Sequence, residues 1–316
     1  MTYKEYKDKI HVAVCSRFDG IVEYIASRKI NNVVYDGLSM RRVDSNKAVI
    51  MYVNEAYKES LHEMEIDTMA DEIVERAEKY LLTIDEDTGN IEDYMNFNWV
   101  KDHIYPVLVN NERNKSILSE CPHRDCLEDN SISIIYFVDF GCGTVRVTNR
   151  HMQGWEVTEE DLYENAMRNL SSEEYAIDNI MSVIERNIRE KIARMEELSE
   201  TDIQMIYRLL SNMGKEDLIV IRRPDLVYGA RALLRKDLFK KVLEEFDNPH
   251  LKDGVYFALS SVHEVILFNT EVDEEMKERI HNTILAVNDE VLAEEDFLSD
   301  HLYFFNRETE EIEIAG

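Results

Sequence analysis

Three times along this chain the apolar residues pass from the two-residue spacing of strands to the three- and four-residue spacing of a helix, always as two strands followed by one helix. No other feature constrains the fold as much. Neighbouring strands joined by short turns pair antiparallel, and the amphipathic helix that follows must bury its stripe on one face of the sheet. The expected fold class is therefore α+β: repeated strand-strand-helix units, mainly antiparallel sheets with helices packed on one face, and not a doubly wound fold. The units share order without a residue-level repeat, so common packing logic accounts for them without duplication.

The first unit is read as residues 1–90, an N-terminal ββα domain. After an opening helical segment come strands at Val33–Tyr35 with Leu38 and Met40, and at Ala48–Val53. A helix carries Ile66, Met69, Ala70, Ile73, Val74, Ala77, Tyr80 and Leu81 on one face. The charged, turn-forming stretch from Asp85 to Asn90 sets the boundary.

The second unit, 91–214, is a middle α+β region with strands at Ile104–Val109, Ile132–Val138 and Val145–Thr148. Thr158 caps the next helix, whose first turn holds Glu159, Glu160 and Asp161. Ser171 and Glu174 have capping-box spacing, which predicts a long helix through Ile177, Ile180, Ile184, Ile188, Ile192 and Met195, then another around Ile203 to Leu210. The third unit, 215–316, is a C-terminal α+β region. It holds a strand at Leu218–Ile221, a helix from about Gly229 to Phe246, a hairpin at Tyr256–Leu259 and Val265–Phe268, a helix capped by Asp273, and strands at Leu302–Phe305 and Ile312–Ile314. Residues 91–316 are also readable as one domain.

Charge removes several function classes. With 65 Asp and Glu against 36 Lys and Arg, the chain carries a formal net charge of -29, which repels phosphate backbones and anionic lipid. Direct nucleic-acid binding is not expected. The acidity is either an ordinary solvated surface or a negative face that meets a basic partner, nucleic-acid mimicry being a special case of the latter. Acidic residues occur in every segment, as at Glu159-Glu160-Asp161 and Glu244-Glu245. The run Ile134-Ile135-Tyr136-Phe137-Val138 is far too short to span a bilayer, so no membrane association is expected. The N-terminal residues lack a signal-peptide pattern, and four Cys in 316 residues fit reduced thiols, which places the protein in the cytoplasm.

The phosphate-loop, dinucleotide-binding, zinc-protease and esterase-elbow patterns are all absent, and no cofactor is expected. Three polar clusters remain. Cys121, His123 and Cys126, with Cys142, form a chemically sensible zinc set, although a His between two Cys is not the usual spacing and a buried Cys also serves as a small apolar residue. Ser261, His263 and Glu264 lie at a turn between two strands, and Asp300 and His301 precede a third. If the two loops converge, they hold the parts of a hydrolase: an acid/base imidazole or partial metal site with a serine beside it. Otherwise the serines satisfy turn amides and the imidazoles bond locally. Arg222, Arg223 and Arg231 flank a helix start and hold either an anion or local carboxylates.

Several words in the chain, among them Val109-Asn110-Asn111-Glu112-Arg113-Asn114, Pro122-His123-Arg124, Leu259-Ser260-Ser261-Val262-His263-Glu264 and Leu298-Ser299-Asp300-His301-Leu302-Tyr303, resemble a bacterial family of unknown function of the DUF5688 type. The resemblance spans nearly the whole chain. From about residue 100 onward the element order is also distantly similar to the YtpQ-like family of Gram-positive bacteria. It implies a cytoplasmic bacterial protein and supplies no activity. Pro122-His123-Arg124 matches a family word while its flanking cysteines do not, which weighs against zinc; both serine-histidine words match.

The functional expectation is a non-catalytic protein-binding protein with an acidic surface. The alternative is a hydrolase built on His263, Glu264, Asp300 and His301, and the lesser alternative is an acidic nucleic-acid mimic.

Overall fold

Helix α1 (Tyr3–Cys15) begins at a capping box in which Thr2 accepts the Glu5 amide and Glu5 accepts the Thr2 amide. Its Tyr6, Ile10 and Val14 are fully buried. A computed structural model describes residues 1–45, 47–54, 57, 66–87, 91–141, 143–180, 218–246 and 248–315, and they divide into two compact units. One comprises Met1–His103 with Val138–Val145, the other Ile104–Phe137 with Arg146–Gly316.

In the first unit, strands β1 (Ile21–Arg28), β2 (Val34–Arg41) and β3 (Val49–Tyr52) form an antiparallel sheet in that order. Leu38, Met40 and Val49 of the sheet share one apolar cluster with α1 and with Met69, Ala70, Ile73, Val74, Ala77 and Leu81 of α2 (Ile66–Asp87). Both helices thus bury their stripes in the sheet's core. Polar ties reinforce the seam: Asp36 on β2 accepts from Tyr3 and Lys7 of α1 at 3.0 and 2.9 Å. Arg17 grips Asp67 and Asp71 of α2 at 2.6 and 2.7 Å. The unit also contains α3 (Ile91–Tyr94) and α4 (Phe97–Val100).

The second unit holds two sheets. Strands β4 (Ile104–Asn110), β6 (Ile132–Asp139) and β5 (His123–Asp125) are neighbours in the first; β7 (Thr144–Arg146), a short strand after β6, falls mostly in the Val138–Val145 segment of the first unit. Strands β4 and β6 are buried nearly end to end, so they read as continuous apolar runs rather than alternating ones. Helix α5 (Lys115–Glu120) follows β4, and α6 (Asn149–Trp155) leads into α7 (Glu159–Ser171). Thr158 caps α7 as expected, with Asp161 completing a capping box.

The larger sheet has six strands in the order β13 (Ile312–Ile314), β12 (Leu302–Asn306), β10 (Gly254–Ala258), β11 (Glu264–Phe268), β9 (Leu218–Arg222) and β8 (Ala176–Asn179), every pair antiparallel. Helix α8 (Lys236–Glu245) buries Leu238, Phe239, Val242 and Leu243. Helix α9 (Glu274–Glu290), capped by Asp273, buries Ile280 and Ile284 in a cluster with Leu218, Ala258, Phe268 and Leu302 of the sheet.

Two local expectations are corrected. Ser171 and Glu174 do not open a helix: Ser171 is the last residue of α7, its hydroxyl donates back to the Arg168 carbonyl at 2.6 Å, and residues 176–179 are strand β8. Ile177 stands opposite Ile221 of β9, and Asp178 pairs with Arg222 at 2.9 Å, so this stretch gains cross-strand partners that a helix would deny it. Ile180, the next residue, is helical as expected, while the rest of that helix and the one around Ile203 lie outside the described residues. The second correction is at Gly229–Leu234, which forms a tight 3-10 segment, the α-helix starting only at Lys236. A Cβ on Gly229 would sit 2.2 Å from the His263 carbonyl oxygen, so the chain passes too close there for any larger residue.

Candidate functional site

The loop joining β10 to β11 and the segment before β12 are neighbours in space. Val262 N–H donates to the Asp296 carbonyl at 2.8 Å, Leu298 N–H donates to the Ser260 carbonyl at 2.9 Å, and Ser261 bridges to Phe297. The backbones of the two serine-histidine words therefore meet, but their side chains part. His263 accepts the Tyr228 amide on Nδ1 at 3.3 Å and donates from Nε2 to the Asp296 carboxylate at 2.9 Å. An amide can only donate, which fixes the proton of the neutral ring on Nε2. The Asp296 carboxylate holds the His263 pKa above its ordinary value against the opposing effect of burial. Ser261 accepts the His263 amide at 3.0 Å and bonds the Glu264 carboxyl, whose pKa is raised by burial.

The other loop faces elsewhere. Asp300 accepts from Asn288 of α9 at 2.8 Å; Ser299 shares a 2.7 Å bond with the Tyr303 hydroxyl and accepts the His301 amide at 3.1 Å. The structure thus gathers Ser261, His263 and Glu264 around Asp296 and sends Asp300 and His301 to other partners. The two imidazoles share none. His301 lines a cleft of about 610 Å³ together with Asn110, Asn111, Glu112, Lys115, His123 and Ser131.

Asparagines shape this cleft. Asn110 accepts the Arg113 amide at 3.0 Å and donates to the Leu298 carbonyl at 3.0 Å; the fully buried Asn114 returns a bond to the Asn110 carbonyl at 2.8 Å. Asn111 donates to the Asn130 carbonyl at 2.8 Å and to Asp125 at 3.4 Å, while its Oδ1 is buried without a hydrogen bond among the described residues. His123 Nδ1 lies 3.0 Å from the Cys121 carbonyl, so this nitrogen carries the proton and Nε2 of the neutral ring keeps its lone pair. Glu112 and Lys115 form an ion pair one helical turn apart at the rim. On the other side of the Asn110–Asn114 loop a second depression, of about 720 Å³, holds the Arg113 guanidinium 3.5 Å over the Phe297 ring, with Asp289 and Asp300 beside it. Side-chain chemistry alone singles out none of the asparagines; their signal is the Val109–Asn114 word.

The arginine cluster is taken up by carboxylates. Arg223 chelates Asp225 at 2.9 and 2.6 Å and reaches Glu173 at 2.8 Å, and Arg231, 3% exposed, also binds Glu173 at 2.9 Å. Arg124 of Pro122-His123-Arg124 grips Glu159 at 2.8 Å and lies 4.0 Å over the Tyr163 ring, tying β5 to the start of α7.

The cysteine set has no such coherence. Burial pushes the Cys121 thiol up and that of Cys126 to about 12, favouring neutral thiols. No group of three His, Cys, Asp or Glu among the described residues is placed to hold a metal ion. Cys142 lies outside them. No described helix is long and apolar enough to cross a membrane.

Residues 3–307 match the Family of unknown function (DUF5688). The chain belongs to the DUF5688 family. The match takes in every residue of the polar cleft and of the His263 cluster, so both are parts of the DUF5688 region rather than of an appended segment. No curated protein and no solved structure matches the chain.

Proposed function

We propose that this DUF5688 protein is a non-catalytic binding protein of the bacterial cytoplasm, whose second unit engages a partner protein carrying positive charge. The observation that carries this reading is the state of His263: both of its ring nitrogens are bonded, to Tyr228 and to Asp296. A hydrolase base needs a free nitrogen within reach of its nucleophile, and here Ser261 instead bonds Glu264 and a turn amide. The polar cleft beside His123 and His301 supplies a recognition surface. A net charge of -29 selects for basic partners and accelerates their encounter.

Affinity capture from the native host, at low and at moderate salt, tests the reading. A partner enriched at low salt that binds again as purified protein, more weakly as salt rises, supports it. Recovery of no partner at either salt sinks it.

A further inference from the structure

We infer that the cleft beside His123 and His301 receives a basic side chain of that partner, a guanidinium or ammonium group; the inference rests on the binding reading above and names its ligand class. His123 gives its Nδ1 proton to the Cys121 carbonyl, so the nitrogen it has left is an acceptor. Asn111 commits its amide nitrogen to the Asn130 carbonyl and Asp125 and its Oδ1 is buried, so it presents no N–H donor to the cleft. His301, whose ring nitrogens have no hydrogen bond among the described residues, takes either role. The charged residues at the rim, Glu112 and Lys115, neutralise each other, and the Asp125 carboxylate stands behind Asn111.

A cleft whose free His123 nitrogen accepts, with the Glu112 carboxylate in its lining and the Asp125 carboxylate behind Asn111, disfavours carboxylates and phosphates and suits a cation rich in N–H groups. A guanidinium offers five such donors in one plane. At about 610 Å³ the cleft also has room for the peptide around the basic residue, not only for its tip. A divalent metal fits less well, because among the described residues no group of three His, Cys, Asp or Glu is placed to hold one.

The test is calorimetric titration of the full chain, at physiological ionic strength, with acetyl-glycyl-arginyl-glycine amide and with its citrulline counterpart, which has the same shape without the charge. The arginine peptide is expected to bind, the citrulline peptide about tenfold or more weaker, and His123→Ala to weaken the arginine peptide by about tenfold with an unchanged thermal midpoint. His301→Phe is a second variant with the same expected loss. Equal binding of the two peptides, no binding of either, or full binding by both variants overturns the inference. So does zinc chloride titrating metal-stripped protein to one equivalent while the arginine peptide gives no heat. The two readings fail separately. A partner captured equally by wild type and His123→Ala leaves the binding function standing and removes the cleft, whereas peptide binding that His123→Ala weakens, with no partner captured, does the reverse.

Discussion

The His263 imidazole donates to the Asp296 carboxylate at 2.9 Å, joining the turn between β10 and β11 to the segment that leads into β12. Its other nitrogen holds the Tyr228 amide. One ring thereby fastens three stretches of chain.

This latch makes stability depend on pH in a defined direction. Asp296 raises the His263 pKa in the folded chain above its unfolded value, so the folded state binds the extra proton. The stabilisation is complete below the unfolded value of about 6.5 and is lost as pH rises through the raised folded value. Protonation gives up the 3.3 Å bond from Tyr228 but gains a charge-assisted one to Asp296, the stronger of the two. Glu264, raised by burial, acts in the same direction from the carboxylate range upward. Thermal midpoints measured from pH 5 to 9 are expected to fall with rising pH in wild type, and less in Asp296→Asn. Identical slopes in the two would remove the latch from the account.

Arg231 is 3% exposed and paired with Glu173. Arg231→Leu leaves that half-buried carboxylate to Arg223 and Tyr175, at a cost of about 2 kcal/mol in urea denaturation. The double change Arg231→Leu with Glu173→Leu removes the stranded charge and is expected to recover most of the loss.

Gly229→Ala places a methyl group 2.2 Å from the His263 carbonyl oxygen and 3.0 Å from the Arg223 amide nitrogen, both backbone atoms that cannot swing aside. A loss of about 2 kcal/mol or more is expected by the same denaturation measurement. A neutral result would mean that the turn after β10 has slack.

Cysteine reactivity separates the thiols. In a Cys142→Ser background, the exposed Cys15 is expected to react first with a disulfide reagent at neutral pH, while buried Cys121 and half-buried Cys126, both with raised pKa values, lag by at least about tenfold. Mass spectrometry of the labelled peptides reads the order directly.

The fold was legible wherever burial is one-sided. The α2 stripe from Ile66 to Leu81, the Thr158 cap and the β10–β11 hairpin all carry their spacing in the sequence. Strand β1 does not: only Ile21, Val22 and Ser27 are even partly buried, so Glu23 through Ala26 show no alternation to detect. Strand β8 was misread because Ile177 and Ile180 are three apart, a helical spacing that only the arrival of β9 overrules.

The site was half legible. The sequence leaves convergence of the two serine-histidine words as a condition; their backbones do touch, but the direction of each side chain depends on residues remote in sequence, Tyr228 and Asp296 for His263 and Asn288 for Asp300. The cleft around His301 draws on Asn110, Asn111 and His123, nearly two hundred positions away on the scale of the 188-residue span bridged by Asn110 and Leu298.

The order of the six-stranded sheet has a consequence for how the protein is made. Of these strands β8 leaves the ribosome first; among the described residues its neighbour is β9, and β9 in turn needs β11, while β10 needs both β11 and β12. Nascent chain up to Arg222 therefore leaves one edge of β9 open until β11 has emerged at Phe268, and one edge of β10 stays open until β12 has emerged at Asn306. During that interval a holdase chaperone is the natural occupant of the unfinished edge.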